Sequence, residues 1–264
     1  SLGTTVGPYV GGILFFGTAG TLAANAATAE SVKVPYLMLA AALLTIAVVF
    51  AFFKLPVIAE HTEEQDCKAK GHSLAEAPHL MMGVVGIFCY VGAEVSIGSF
   101  LVNYFGEEHI AGLEEHAAAS LIAYYWGGAM VGRFIGSAAL QKIAPSKALF
   151  FNAMMVIVLL LVTIFTEGDV ALYSVLAIGL FNSIMFPTIF SVAIESLGSL
   201  TSKGSGWLCL AIVGGALVPI VQGVVADTVS IQQSFFVPVI CYAFIAWYGL
   251  NVVRLADSWK KRIA

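Results

Sequence analysis

Residues 80–105 read LMMGVVGIFCYVGAEVSIGSFLVNYF, an apolar run interrupted near its middle by one carboxyl, Glu94. The hydrocarbon core of a membrane is about 30 Å thick, and a helix rising about 1.5 Å per residue needs about 20 apolar residues to cross it. This run meets that length. It is much longer than an ordinary strand of roughly 3–10 residues, and lipid accepts only structures that satisfy their backbone hydrogen bonds internally. The stretch reads as a transmembrane helix. Working outward from it, similar runs occupy residues 2–19, 34–53, 118–140, 148–165, 170–194, 206–226 and 234–253.

Composition supports the same reading. Of the 264 residues 59% are hydrophobic and 11% charged, with a mean hydropathy of +0.93. Soluble domains carry about 25% charged residues, because a water-facing surface needs them. The expected fold class is therefore an all-α membrane protein with eight transmembrane helices. Alternating the loops puts ten Lys and Arg residues on one side: Lys54, Lys68, Lys70, Lys142, Lys147, Lys203, Arg254, Lys260, Lys261 and Arg262. The other side receives Lys33 and the acidic residues Glu107, Glu108, Glu114, Glu115, Glu167 and Asp169. By the positive-inside rule the first side is cytoplasmic. The longest loop, 54–79, is then cytoplasmic, as is the C-terminus. It divides the chain into two spans (1–53) and six (80–264). The six split into two sets of three, the pattern of inverted repeats in secondary transporters. The chain opens on Ser1 and is apolar from Val6, with no charged leader or cleavage site. The expectation is a chain that begins within a helix of a longer protein, not at a signal peptide.

Several function classes are excluded. No GxSxG, HExxH or P-loop pattern is present, so no enzyme and no cofactor are expected. Cys89, Cys209 and Cys241 fall in apolar runs and Cys67 in a charged loop, without a CxxC or a Cys/His cluster, so no metal site is expected. His61, His72, His79, His109 and His116 all read as loop residues. No basic stripe calls for nucleic acid. Without a nucleotide motif, transport would run on an ion gradient or downhill.

Polar residues inside spans are costly and mark candidate sites. Glu94 sits midway along its span with Tyr90 one turn earlier on the same face. A carboxyl deprived of water is suited to hydrogen-bonding a substrate or to exchanging a proton. Asn182 lies at similar depth, and Pro187 beyond it removes a helix N–H. Both residues are expected to face one polar cavity near the midplane. Trp207 and Gln222 share one helix face with residues 211, 214 and 218, and aromatic planes with amides are what carbohydrate sites use. Arg133 and Glu195, both near cytoplasmic span ends, are expected to pair as a conformational latch. Glycines four apart form two small-residue stripes: Gly3, Gly7 and Gly11 in the first span, and Gly128, Gly132 and Gly136 in the fourth. The two stripes are expected to pack against each other.

Five stretches carry a resemblance: SLGTTVGPYVGG (1–12), YVGAEVSIGSFLVNYF (90–105), GRFIGS (132–137), GLFNSIMFPTIFSVAIESLG (179–198) and AIVGGALVPIVQGVVAD (211–227). Together they make the chain resemble the glucose/galactose transporters and fucose permeases of the major facilitator superfamily. The resemblance implies that the eight spans correspond to family helices 5–12 and that loop 54–79 is the central linker. It implies uptake of a monosaccharide by proton symport (or sodium symport) with alternating access. The setting would be a bacterial inner membrane, and the complete protein a monomer. It also implies that the helices bearing Glu94 and Asn182 line the central cavity. The acidic residues that the family uses for proton coupling lie in its first four helices, which this sequence does not contain. The resemblance thus assigns no coupling residue within this chain and leaves Glu94 a sugar-binding role, while its depth in the span makes it the proton-coupling candidate. Two alternatives stand beside this one: an exporter of amphipathic drugs or metabolites, which a broad apolar cavity would favour, and a membrane scaffold that transports nothing.

Overall fold

The computed structural model describes residues 73–263 and, before them, helical residues at 37–49 other than 39 and 42. The expected span 2–19 lies outside the described residues. So do Gly3, Gly7 and Gly11, which make up its stripe, and Cys67. Among the described residues, nine α-helices follow Ser73: α1 (Pro78–Gly106), α2 (Glu115–Leu140), α3 (Pro145–Phe165), α4 (Gly168–Asn182), α5 (Met185–Ala193), α6 (Thr201–Leu210), α7 (Gly214–Thr228), α8 (Ile231–Ser234) and α9 (Phe236–Ile263). There is no strand among the described residues. Five helical stretches among them are long and apolar enough to cross a membrane: Pro78–Gly106, Pro145–Phe165, Gly168–Ala193, Thr201–Thr228 and Ile231–Arg262. The third of these is α4 with α5, the fourth α6 with α7, and the fifth α8 with α9. α2 matches the expected span 118–140 in extent but is not among the five. Its polar first turn, its aromatic and glycine run from Tyr124 to Gly128, and Arg133 make it less apolar.

Local chemistry sets the helix ends. Pro78 and Pro145 occupy first-turn positions, where a missing N–H costs nothing. Ser230 caps α8, its Oγ accepting from the Gln233 N–H at 3.1 Å. The α4–α5 stretch is broken at Ser183 and Ile184. Pro187, without an N–H, stands in the first turn of α5, so the Ser183 carbonyl has no i+4 donor and the helix restarts instead of continuing.

α1 is central, packing against α2, α5, α7 and α9; α9 also packs on α3, and α4 on α2 and α3. Within lipid, water exclusion does not hold helices together, so close packing and hydrogen bonds must. Glycine supplies the closeness. A Cβ on Gly132 would overlap the Leu180 carbonyl oxygen, and one on Gly136 would overlap the Ile184 side chain. The stripe of Gly128, Gly132 and Gly136 therefore lies against the end of α4 and the start of α5. The expectation that it also packs on Gly3, Gly7 and Gly11 falls on residues outside those described.

Each end of the bundle is tied. At one end the Tyr104 hydroxyl donates to the Thr163 carbonyl (3.0 Å), and Gln232 Nε2 reaches the carbonyls of Thr163 (3.1 Å) and Thr166 (2.7 Å), using orphan acceptors at the close of α3. At the other end the Tyr248 hydroxyl donates to the His79 carbonyl (2.9 Å) and Trp259 Nε1 to the Ser196 carbonyl (3.1 Å). His79 is fully buried in the first turn of α1, with Nε2 2.9 Å from the Glu195 carbonyl oxygen, so it is a packed helix residue and not the loop residue expected. The outer surface is apolar: Phe134, Leu210 and Ile240 are 74%, 74% and 71% exposed, which suits lipid and not water.

Candidate functional site

The break between α4 and α5 turns Asn182 into a hub. Its side chain is completely buried: Nδ2 donates to the Tyr125 hydroxyl of α2 at 3.0 Å, and Oδ1 accepts from the Tyr242 hydroxyl of α9 at 2.8 Å. Its backbone carbonyl, at the end of α4, is 2.9 Å from the Tyr90 hydroxyl of α1. That same hydroxyl is 2.7 Å from Glu94 Oε1, one turn further along α1. Five polar side chains from four helices thus form one chain of hydrogen bonds in an apolar surrounding, where buried polar groups are costly unless paired.

Tyr90, Tyr125 and Tyr242 are buried, whereas Glu94 is half-buried and is the most accessible member. The sequence reading puts Asn182 on a polar cavity beside Glu94. In this structure Asn182 is enclosed, and its amide is engaged by tyrosines on two sides, which leaves Glu94 the accessible carboxyl of the network. The Arg133 guanidinium, exposed on α2, lies within electrostatic reach of Glu94. Glu195 pairs instead with Lys260 at 3.2 Å. The expected Arg133–Glu195 contact is not formed in this conformation.

The Trp207–Gln222 face is real but is used differently. Ala211, Gly214, Val218 and Gln222 are all buried. A Cβ on Gly214 would overlap the Phe88 carbonyl, and one on Gly92 would overlap Val218, so this face is the α1–α7 packing surface. Gln222 Nε2 donates to Ser234 Oγ at 3.1 Å, while its Oε1 is buried without a partner. Trp207 borders an apolar hollow with Val84, Val85, Phe88 and Leu210. Neither joins the Glu94 network. Tyr125 and Tyr242, which do, are absent from the sequence reading; the available signal is a tyrosine hydroxyl set deep in an apolar run.

No family model matches the chain. It is 55% identical over 250 residues to a glucose/galactose transporter of Brucella abortus, covering 95% of this chain and 60% of that protein. It is 34% identical over 225 residues to the L-fucose-proton symporter of Escherichia coli K12, covering 81% of this chain and 50% of the relative. A crystal structure of FucP, described as a major facilitator superfamily transporter in the outward conformation, aligns with a TM-score of 0.71 at 30% identity, covering 86% of this chain and 56% of that one. Over most of its length the chain is similar to transporters of the major facilitator superfamily. A peptide transporter of 18% identity, TM-score 0.59, covering 72% of this chain and 41% of its own, shares the fold alone. The chain spans 60% of the length of the Brucella abortus relative and 50% of that of the Escherichia coli symporter. These relatives are transporters and not enzymes, in agreement with the missing catalytic motifs.

Proposed function

We propose that this chain forms the larger part of a secondary active sugar transporter, taking up a monosaccharide of glucose, galactose or fucose type by proton symport with alternating access. The observation that carries the reading is the Glu94–Tyr90–Asn182 network with its two further tyrosines. It is a polar centre spanning four helices of an otherwise apolar bundle, in a chain 55% identical to a glucose/galactose transporter. Glu94 both offers a carboxyl to sugar hydroxyls and exchanges the coupled proton. Tyr90 positions it, and Asn182 holds the surrounding tyrosines.

The architecture that goes with this function has eight spans, equivalent to family helices 5–12, with residues 80–264 as the C-terminal half and 54–79 as the central cytoplasmic loop. Inverted three-helix repeats are supported by the packing pairs. Exchanging the first set (α1, α2, α3) with the second (α4–α5, α6–α7, α8–α9) turns the α1–α7 contact into the α4–α2 contact, and α1–α9 into α4–α3. Both members of each pair are present. The protein sits in the bacterial inner membrane as a monomer when complete.

The test uses the full-length protein in proteoliposomes, measuring monosaccharide counterflow and proton-driven accumulation. Saturable counterflow with accumulation under an inward proton gradient is expected. Counterflow without any response to a proton gradient would remove proton symport, leaving sodium coupling or downhill transport. Loss of both, with extrusion of an amphipathic dye instead, would favour an exporter, a reading to which the apolar hollow at Trp207 lends support.

A further inference from the structure

The Tyr90 hydroxyl carries one proton and faces two acceptors, Glu94 Oε1 at 2.7 Å and the Asn182 carbonyl at 2.9 Å. If Glu94 is ionised, one hydroxyl proton cannot serve both contacts, and one short oxygen–oxygen approach lies inside the bundle with no hydrogen between its atoms. If Glu94 is protonated, the count closes. Its O–H donates to the Tyr90 oxygen, and Tyr90 donates onward to Asn182. From this proton count we propose that Glu94 is protonated in this conformation, and that Tyr90 is a positioning residue that reports the Glu94 proton to the break between α4 and α5.

When Glu94 releases its proton to water, the Tyr90 hydroxyl turns about its C–O bond and donates to the carboxylate. A hydrogen bond to an ionised acceptor is about twice as strong as a neutral one. No covalent bond of Tyr90 breaks, and the only species that leaves is the proton. The Asn182 carbonyl then loses its donor at a point where the helix is already interrupted and Pro187 has removed the next backbone N–H in line. An unpaired buried carbonyl costs free energy, so a regular backbone there no longer has the advantage. Proton release at Glu94 thus biases the joint between α4 and α5, while proton uptake holds it. The groups around Glu94 fit a site that works in both states. Tyr90 faces it from its own helix, Tyr125 and the Arg133 guanidinium from α2, and Tyr242 from α9. Arg133, the cation of this group, is exposed, so the carboxylate is attracted to it without a buried ion pair that would fix the ionised form.

This inference rests on the transport reading for its physiological meaning, but not for its test. In the purified full-length protein, difference infrared spectroscopy across a pH titration should show a protonated-carboxyl band that is lost in Glu94→Gln. In Tyr90→Phe the band should persist, still titrate and shift in frequency, because its hydrogen-bond acceptor is gone. In proteoliposomes, the wild-type rate of sugar counterflow should change across the same pH range. Tyr90→Phe should lose that pH dependence although Glu94 still titrates. Glu94→Gln should lose it too, since its amide N–H donates to Tyr90 at every pH. A carboxyl that stays ionised throughout the titration, or a wild-type pH profile in Tyr90→Phe, overturns the proposal. If wild type shows no sugar counterflow at all, the transport reading fails alone, and the infrared arm still decides the proton count. If Tyr90→Phe does not fold, Glu94→Gln and the wild-type titration carry the decision.

Discussion

Asn182 sits where three helices reach for one residue, and its side chain answers two of them. Replacing it with leucine removes the donor that Tyr125 accepts from and the acceptor for the Tyr242 hydroxyl, leaving two buried hydroxyl groups without that partner. Each such loss costs about 1–3 kcal/mol, whereas removing both partners of one bond is nearly neutral. Asn182→Leu in the full-length protein should therefore lower the thermal unfolding midpoint in detergent. The double variant, Asn182→Leu with Tyr242→Phe, should cost less than the sum of the two single changes. Strict additivity would mean that the Tyr242–Asn182 bond contributes nothing. Glu94 and Asn182 are legible in the sequence because a carboxyl or an amide has no apolar use in the middle of a span. Tyr125 and Tyr242 are not, because a tyrosine is equally at home at the membrane interface, with its ring in the apolar layer and its hydroxyl in water. What separates the two uses is a partner on another helix, which periodicity along one helix does not contain. Gln222 and Trp207 fail for a related reason. Their shared face is readable, but whether a face meets a ligand or another helix depends on Gly92 and Phe88, more than a hundred positions away.

Helix against helix, the closest approach depends on glycines that a general scale would class as weaknesses. Glycine in a helix costs about 1 kcal/mol relative to alanine, so substitution by alanine should normally stabilise. At Gly127 nothing lies within 4 Å of where a Cβ would stand, and Gly127→Ala should raise the unfolding midpoint or leave it unchanged. At Gly132 the Cβ would overlap the Leu180 carbonyl and stand 2.6 Å from Ser183 Oγ. Leu180 lies in the last turn of α4 and Ser183 in the break that follows Asn182, so α2 would have to move away from both. Gly132→Ala should lower the midpoint by several degrees and Gly132→Leu by more. Equal effects at Gly127 and Gly132 would show that propensity, and not packing, governs these sites. The stripe itself is readable from its four-residue spacing, but its partner is not. The surface that meets Gly132 and Gly136 within the described residues, at Leu180 and Ile184, has no glycine repeat to announce it. The interruptions are unequally visible: Pro187 marks the first, whereas the 3-10 turn at Ala211–Val213 lies in a stretch with no proline and is signalled only by Gly214 and Gly215.

Across the whole molecule, the distribution of charge and the packing of the helices are independent observations that converge. α1 and α3 start, and α9 finishes, at the end where His79, Glu195 and Trp259 meet; Lys142 and Lys147 flank the start of α3, and Lys260 pairs with Glu195 there. The opposite end holds Glu107, and the Gly168 N–H donates to the His109 carbonyl at 3.0 Å, bringing the acidic loops around Glu108 and Glu167 together. Among the described residues, the fold therefore gathers Lys142, Lys147 and Lys260, which loop counting assigns to one side, at one end. The Glu195–Lys260 pair is not what sets this orientation, because its side chains are 56% and 46% exposed and such pairs contribute about 0–1 kcal/mol. Orientation should come from the basic flanks themselves, which resist transfer across the membrane. Cys67 offers a direct check, since it precedes α1 by eleven residues, is close to Lys68 and Lys70, and by loop counting belongs to the basic side. In cells producing the full-length protein, a membrane-impermeant thiol reagent should leave Cys67 unlabelled from outside and should label it in inside-out vesicles. Cys67→Ser should abolish the inside-out signal, because Cys89 and Cys241 are enclosed to different degrees and Cys209 stands within an apolar span. Labelling of Cys67 in intact cells would invert the topology, moving the basic end and the start of α1 to the outer face.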